Sequence, residues 1–169
     1  MASTTDIAAF AEFVDARSGS LFRTAYLMVG DHQLAQDLLQ ESLVKTLLAW
    51  PRLRDHATVE AYTRRIIVTT SISWRRRRSF HERPSDVLPE HAGVDPAEAL
   101  VAHDAVLGAL HQLPPRQRAA IVLRYYQDLT EAQTAEVMGC SVGTVKSQVF
   151  AGLAKLRGLL GRSFEEATS

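Results

Sequence analysis

Residues 130–160 read TEAQTAEVMGCSVGTVKSQVFAGLAKLRGLL, and the order of caps and apolar residues in this stretch decides the fold. The Thr130 hydroxyl can accept an orphan backbone N–H at the start of a helix. Ala132, Ala135, Val137 and Met138 give that helix an apolar face over about eight residues. Gly139 stands where a helix C-terminus wants positive φ. Two residues on, Ser141 caps a second, longer helix with Val142, Val145, Val149, Leu153, Leu156 and Leu160 at spacings of three and four. A short helix, a glycine turn and a second capped helix form a helix-turn-helix signature.

The valines and leucines of the second helix require a core. Thr144, Lys146, Ser147, Gln148 and Phe150 lie off that stripe, near the helix N-terminus, the end that meets base edges in a major groove. No acid occurs from Val137 to Phe164, whereas Lys146, Lys155, Arg157 and Arg162 do. The plainer alternative is a helical hairpin with a solvated basic face. Caps, glycine and acid-free run agree on the DNA reading.

The whole chain has 169 residues and zero net charge, which on its own argues against a nucleic-acid partner. The charge is unevenly placed, and its local distribution matters more than the total. Residues 1–80 carry 11 basic and 8 acidic residues, net +3; residues 81–98 carry 1 and 5, net −4; residues 99–169 carry 7 and 6, net +1. A hydrophobic content of 46% supports a packed core. The single cysteine excludes an intramolecular disulfide and fits a reducing compartment. No apolar run approaches the roughly 18–20 residues of a membrane span. The N-terminus shows no signal peptide, so the expected location is cytoplasmic.

Upstream, residues 6–30 and 31–49 read as helices, the second capped by Asp31 and ended at Trp50-Pro51 because proline removes a donor. Residues 51–58 read as a polar loop and 59–78 as a third helix. Its run Ile66 to Ile72 is dense in β-branched residues, which would also suit a strand; the helical neighbours and the lack of a partner strand favour helix. Residues 81–96, HERPSDVLPEHAGVDP, hold three prolines, one glycine and four acids, and too little apolar surface to offset ordering entropy. Further helices are expected over 97–113 and 116–126. The fold class is all-α: two small helical domains, 1–80 and 99–169, joined by a flexible acidic linker over 81–98.

A second basic stretch, Tyr62 to Arg78 (YTRRIIVTTSISWRRRR), holds six arginines and no acid. Such charges contact phosphates and release counterions. Tyr62 and Trp74 are interleaved, with Trp50 close in sequence, and aromatic rings in basic grooves stack unpaired bases. The alternative places Tyr62 and Trp74 in the core and the arginines on a solubilising edge. Residues 36–50 (QDLLQESLVKTLLAW) form a leucine-rich helix flanked by Asp37, Gln40, Glu41 and Lys45, which can bury one face and show part of the rest to a partner. Asp37 and Glu41, one turn apart, repel slightly; a basic partner would offset that, and an ordinary surface pair is the plainer account.

Enzyme signals are weak. Cys140 has no histidine nearby in sequence and reads as a small packing residue rather than a nucleophile. The six histidines show neither an i, i+4 pair nor clustering with cysteine, so no metal is expected, and no phosphate loop or cofactor signature occurs. No catalysis is assigned.

Three blocks, AQDLLQESLVKTLLAW, AYTRRIIVTTSISWRRRR and LPPRQRAAIVLRYYQDLTEAQTAEVMGCSVGTVKSQVFAGLAKLR, resemble bacterial RNA polymerase sigma factors of the extracytoplasmic-function type, in the short group common in actinobacteria. The LPxRQR run before a helix-turn-helix ending GTVKS is the specific part. The resemblance implies a region two over about residues 10–80. There Asp37, Gln40, Glu41 and Lys45 would dock on the coiled coil of the polymerase β′ subunit. Arg54, Tyr62, Arg65, Thr69, Ser73, Trp74, Arg75 and Arg76 would capture the melted non-template strand of the minus-10 element. It implies a region four over 99–162, associated with the β flap. There Arg116, Arg118 and Arg124 would hold phosphates of the minus-35 duplex, Lys146, Ser147 and Phe150 would approach the bases, and Thr144 and Gln148 would belong to the same DNA-binding surface. An off-stripe phenylalanine at 150 would then meet a thymine methyl or a sugar. An anti-sigma factor would be a further partner. Many members carry Asn at the position of Thr69, Asp or Asn at that of Ser73, and Arg at that of Gln148, so no promoter sequence is read. The rival reading is a stand-alone, dimeric operator-binding regulator, in which the Arg75–Arg78 block has no task.

Overall fold

The computed structural model describes residues 2–53, 55–81 and 97–168, with side chains described at 2–53, 55, 57–74 and 104–162. Arg54 and residues 82–96 of the expected linker lie outside the described residues, as do the side chains of Arg75 and Arg76. The helices are α1 (Thr4–Val29), α2 (His32–Ala49), α3 (His56–His81), α4 (Ala97–Gln112), α5 (Pro115–Ile121), α6 (Glu131–Met138) and α7 (Val142–Thr168). No strand occurs among the described residues, and Ile66 to Ile72 is helical.

The chain folds locally for identifiable reasons. Asp31 caps α2 by accepting from the Leu34 N–H at 2.8 Å. Thr130 and Gln133 form a reciprocal capping box at α6. Gly139 ends that helix in the left-handed region at φ 64°. The expected loop over 51–58 is shorter than the sequence suggested. Trp50–Arg52 form a 3₁₀ turn, and α3 starts early because the Asp55 carboxylate accepts from the Thr58 N–H at 2.7 Å and its hydroxyl at 2.8 Å. The helix expected over 116–126 changes to a π turn at Val122–Tyr126.

Helices α1–α3 enclose a first core of Phe13, Leu21, Leu38, Trp50, Val59 and Ile67. Trp50 is buried there, edge-on to Phe10 at 5.5 Å between centroids, so it is a packing residue and not a base-stacking one. The buried hydroxyls of Thr46 and Thr63 lie 2.9 Å apart and close α2 on α3. In the C-terminal half, Leu110, Leu113, Ile121 and Leu156 pack together. A Cβ on Gly152 would stand 2.5 Å from Ile121 Cδ1, so glycine sets how closely α7 approaches α5.

The two halves also pack on each other. Met28 and Val68 share a buried cluster with Ala119, Ala120, Val122, Leu123, Val137 and Met138. Arg118, with 0% exposure, sits at the seam. Its guanidinium donates to the carbonyls of Leu110 (2.7 Å), His111 (2.7 Å) and Leu113 (3.0 Å), and across the seam to Met28 (2.6 Å). These acceptors lie in or just beyond the last turns of α4 and α1, where the carbonyls carry the negative ends of both helix dipoles. Gly30, the left-handed C-cap of α1 at φ 75°, leaves no room for a side chain. A Cβ there would lie 2.3 Å from the His111 ring. Burial, then the carboxylates of Asp104 and Asp31, push the Tyr26 phenol above its ordinary pKa.

Candidate nucleic-acid interface

The recognition helix forms as the sequence implies. Ser141 Oγ accepts from the Thr144 N–H at 3.1 Å and lies 3.0 Å from its hydroxyl, so Thr144 is partly spent on the cap. Val145 is fully buried and Val149 half-buried, which turns Lys146, Ser147 and Phe150 outward. Phe150 is 79% exposed, the most exposed large apolar side chain described. A phenylalanine left in water forgoes burial energy of about 1.5–3 kcal/mol. Lys146 Nζ lies 3.7 Å from Glu131 at the start of α6. Ser147 Oγ donates to the Gly143 carbonyl at 3.1 Å, and Gln148 is half-buried beside them.

The three arginines expected on phosphates separate. Arg116 is exposed on α5. Arg124 is half-buried and donates to the Leu129 carbonyl, which fixes the turn into α6. Arg118 has no exposed surface and its donors face carbonyls, so in this arrangement it holds no phosphate. That expectation is corrected: LPxRQR offers one outward arginine and one clamp.

On α3, Tyr62, Arg65, Thr69 and Ser73 are spaced by three and four and form one stripe, Arg65 and Thr69 exposed and Tyr62 and Ser73 half-buried. Thr69 Oγ1 donates back to the Arg65 carbonyl at 2.8 Å. Trp74 leaves that stripe sideways. Its Nε1–H donates to Glu41 Oε2 on α2 at 3.1 Å. Glu41 also pairs with Lys45 at 3.0 Å, and Lys45 Nζ reaches Thr70 Oγ1 at 3.4 Å. Glu41, Lys45, Thr69, Thr70, Ser73 and Trp74 line a groove of about 220 Å³. Two groups of residues that the sequence kept apart thus meet.

The outer face of α2 carries Asp37 and Gln40, both exposed, with Val44 at 58% and Leu48 at 76% exposure. The last two complete a mixed acidic and apolar surface, and only burial by the other helices distinguishes them from the inward leucines. Cys140 is half-covered and packs against the seam cluster.

Comparison with known proteins agrees with this layout. The family model for Sigma-70 region 2 matches residues 13–81, and that for Sigma-70, region 4 matches residues 103–156. The RNA polymerase sigma-E factor of Streptomyces coelicolor is 36% identical over 152 residues, covering 90% of this chain and 86% of that one. The ECF RNA polymerase sigma factor SigM of Mycobacterium tuberculosis is 33% identical over 143 residues, 83% of this chain and 71% of its own. Among solved structures, the sigma factor RpoE of Bartonella quintana, in complex with the anti-sigma factor NepR, aligns at a TM-score of 0.73 and 26% identity. The alignment covers 90% of this chain and 97% of that one. The chain belongs to the sigma-70 family of RNA polymerase sigma factors, in its extracytoplasmic-function group. It acts as an alternative sigma factor directing transcription initiation, and the stand-alone operator-binding reading falls away because region two accompanies region four in one chain.

Proposed function

We propose that this sigma factor works through three faces, on α2, α3 and α7. The outer face of α2, with Asp37, Gln40, Val44 and Leu48, docks core RNA polymerase at the β′ coiled coil, and region four meets the β flap. The α3 stripe of Tyr62, Arg65, Thr69 and Ser73, with Trp74 beside it, captures the unstacked minus-10 strand. Arg54, Arg75 and Arg76 belong to the same task by their position in sequence. Lys146, Ser147, Gln148 and Phe150 of α7 read the minus-35 duplex, with Arg116 on a phosphate. Residues 1–80 and 99–169 are the working domains and 81–98 the linker. The factor supplies binding and placement in the cytoplasm, and the polymerase supplies the chemistry.

The observation that carries this reading is Phe150, 79% exposed on a capped helix that holds no acid before Glu165. Its exposure has a purpose only against a partner. Reading both elements requires the seam to open. Elements about 25 base pairs apart lie roughly 80 Å apart at about 3.4 Å per pair. Helix α3, about 39 Å long at 1.5 Å per residue, packs directly on α6. A closed form is also what an anti-sigma partner would hold, and the RpoE relative is seen with such a partner. Run-off transcription with purified core polymerase on promoter fragments tests the proposal. Stimulated initiation is expected; no stimulation, and no co-purification with core enzyme, would refute it.

A further inference from the structure

We propose that Glu41 is a positioning residue that holds the Trp74 indole for strand capture, so that polymerase docking on α2 and DNA capture on α3 share one carboxylate. The inference rests on the reading above for its purpose, but its geometry stands apart from it.

One Glu41 oxygen accepts from Trp74 Nε1–H at 3.1 Å, and the other lies 3.0 Å from Lys45 Nζ. A carboxylate is an acceptor at both oxygens, so one side chain serves two partners on different helices. Lys45 extends the chain of contacts to Thr70 Oγ1 at 3.4 Å. The indole is amphipathic: its N–H seeks a partner while the ring offers an apolar face. With the N–H tied to α2, the ring stands as one wall of the groove that Thr69 and Ser73 also line. Without Glu41 the tryptophan would keep its bulk but lose the contact that fixes its ring plane. Stacking on a base depends on that plane.

The placement on α2 gives the consequence. Glu41 is one turn from Asp37 and one residue from Gln40, at the edge of the outer face that carries Val44 and Leu48. A cationic group of a docked protein drawn to that acidic edge would compete with Lys45 for the same carboxylate. Docking is thereby felt at Trp74 without movement of either helix.

Two measurements test the proposal. In the free protein labelled with 5-fluorotryptophan, Trp50 and Trp74 give two fluorine resonances. Glu41→Ala should move and broaden the Trp74 line and leave that of Trp50, whereas Glu41→Gln, which keeps a carbonyl acceptor, should move it less. An unchanged Trp74 line in Glu41→Ala overturns the proposal whatever the function. In holoenzyme at saturating core polymerase, binding of a fork template with a single-stranded minus-10 segment should weaken roughly fivefold to tenfold for Glu41→Ala, in the range of one ordinary hydrogen bond. Trp74→Phe should weaken it similarly, and the double variant should be no worse than Trp74→Phe alone. Multiplying effects, or a loss confined to core affinity, would overturn it. Failure of the wild-type holoenzyme to initiate would instead sink the functional reading and leave the fluorine result to decide.

Discussion

Arg118→Ala should destabilise the fold by roughly 3–5 kcal/mol, the scale for removing one partner from a buried charged hydrogen-bond set. The residue is completely buried, and its donors face the carbonyls of Leu110, His111, Leu113 and Met28. Alanine leaves those acceptors facing a cavity at the convergence of two helix C-termini, where their dipoles repel. For a chain of this size each kcal/mol shifts Tm by about 2–4 °C, so a fall of about 6–20 °C is expected by calorimetry or circular dichroism. Arg118→Lys keeps the charge but loses the planar fork and should fall in between. Arg116→Ala is the control. On the surface it should leave Tm within about 1–2 °C and lower the salt slope of minus-35 binding by about one counterion. If Arg118→Ala melted like the parent and lowered the salt slope instead, the clamp would be wrong and a phosphate role would stand.

Lys146→Ala and Phe150→Ala should each weaken minus-35 binding about tenfold, the scale of one good base contact, with core-polymerase affinity and Tm unchanged in competition and melting assays. Gly30→Ala combines a left-handed backbone with a Cβ 2.3 Å from the His111 ring. The backbone alone costs about 1–2 kcal/mol, so Tm should fall clearly and the seam loosen, seen as a larger radius of gyration in solution scattering. The Tyr26 phenol, raised by burial and by Asp104 and Asp31, should titrate above its unfolded value of about 10. Its contribution to stability is therefore full below that pH and is lost as pH rises through the folded value. Asp104→Asn should bring the ultraviolet titration midpoint down.

Much of the site was legible because its signals are local. A cap needs an oxygen placed three residues before the amide it binds, so Thr130, Ser141 and Asp31 could be read from neighbours. A turn needing positive φ shows itself as Gly139, and helical spacing separates Val145 and Val149 from Lys146 and Phe150. The early start of α3 at Asp55 followed the same rule and was hidden only by the polar run around it. Trp50 and Trp74 were less readable. Both are aromatic residues beside basic stretches, yet one fills a core with Phe10 and Phe13 and the other lends its N–H to Glu41, 33 residues earlier.

The sequence by itself determined most of the helices, the caps at Asp31, Thr130 and Ser141, the outward face of α7 and the stripe on α3, because each depends on contacts within a turn or two. The tertiary structure alone decided what Arg118, Gly152 and Glu41 do. Arg118 and Arg116 are two residues apart in one motif, and their fates differ because the carbonyl of Met28, 90 positions away, arrives beside one and not the other. Gly152 matters only because Ile121 crosses above it. A charge's role follows from what the rest of the chain places next to it, and that placement is the sum of packing between elements, which no local pattern encodes.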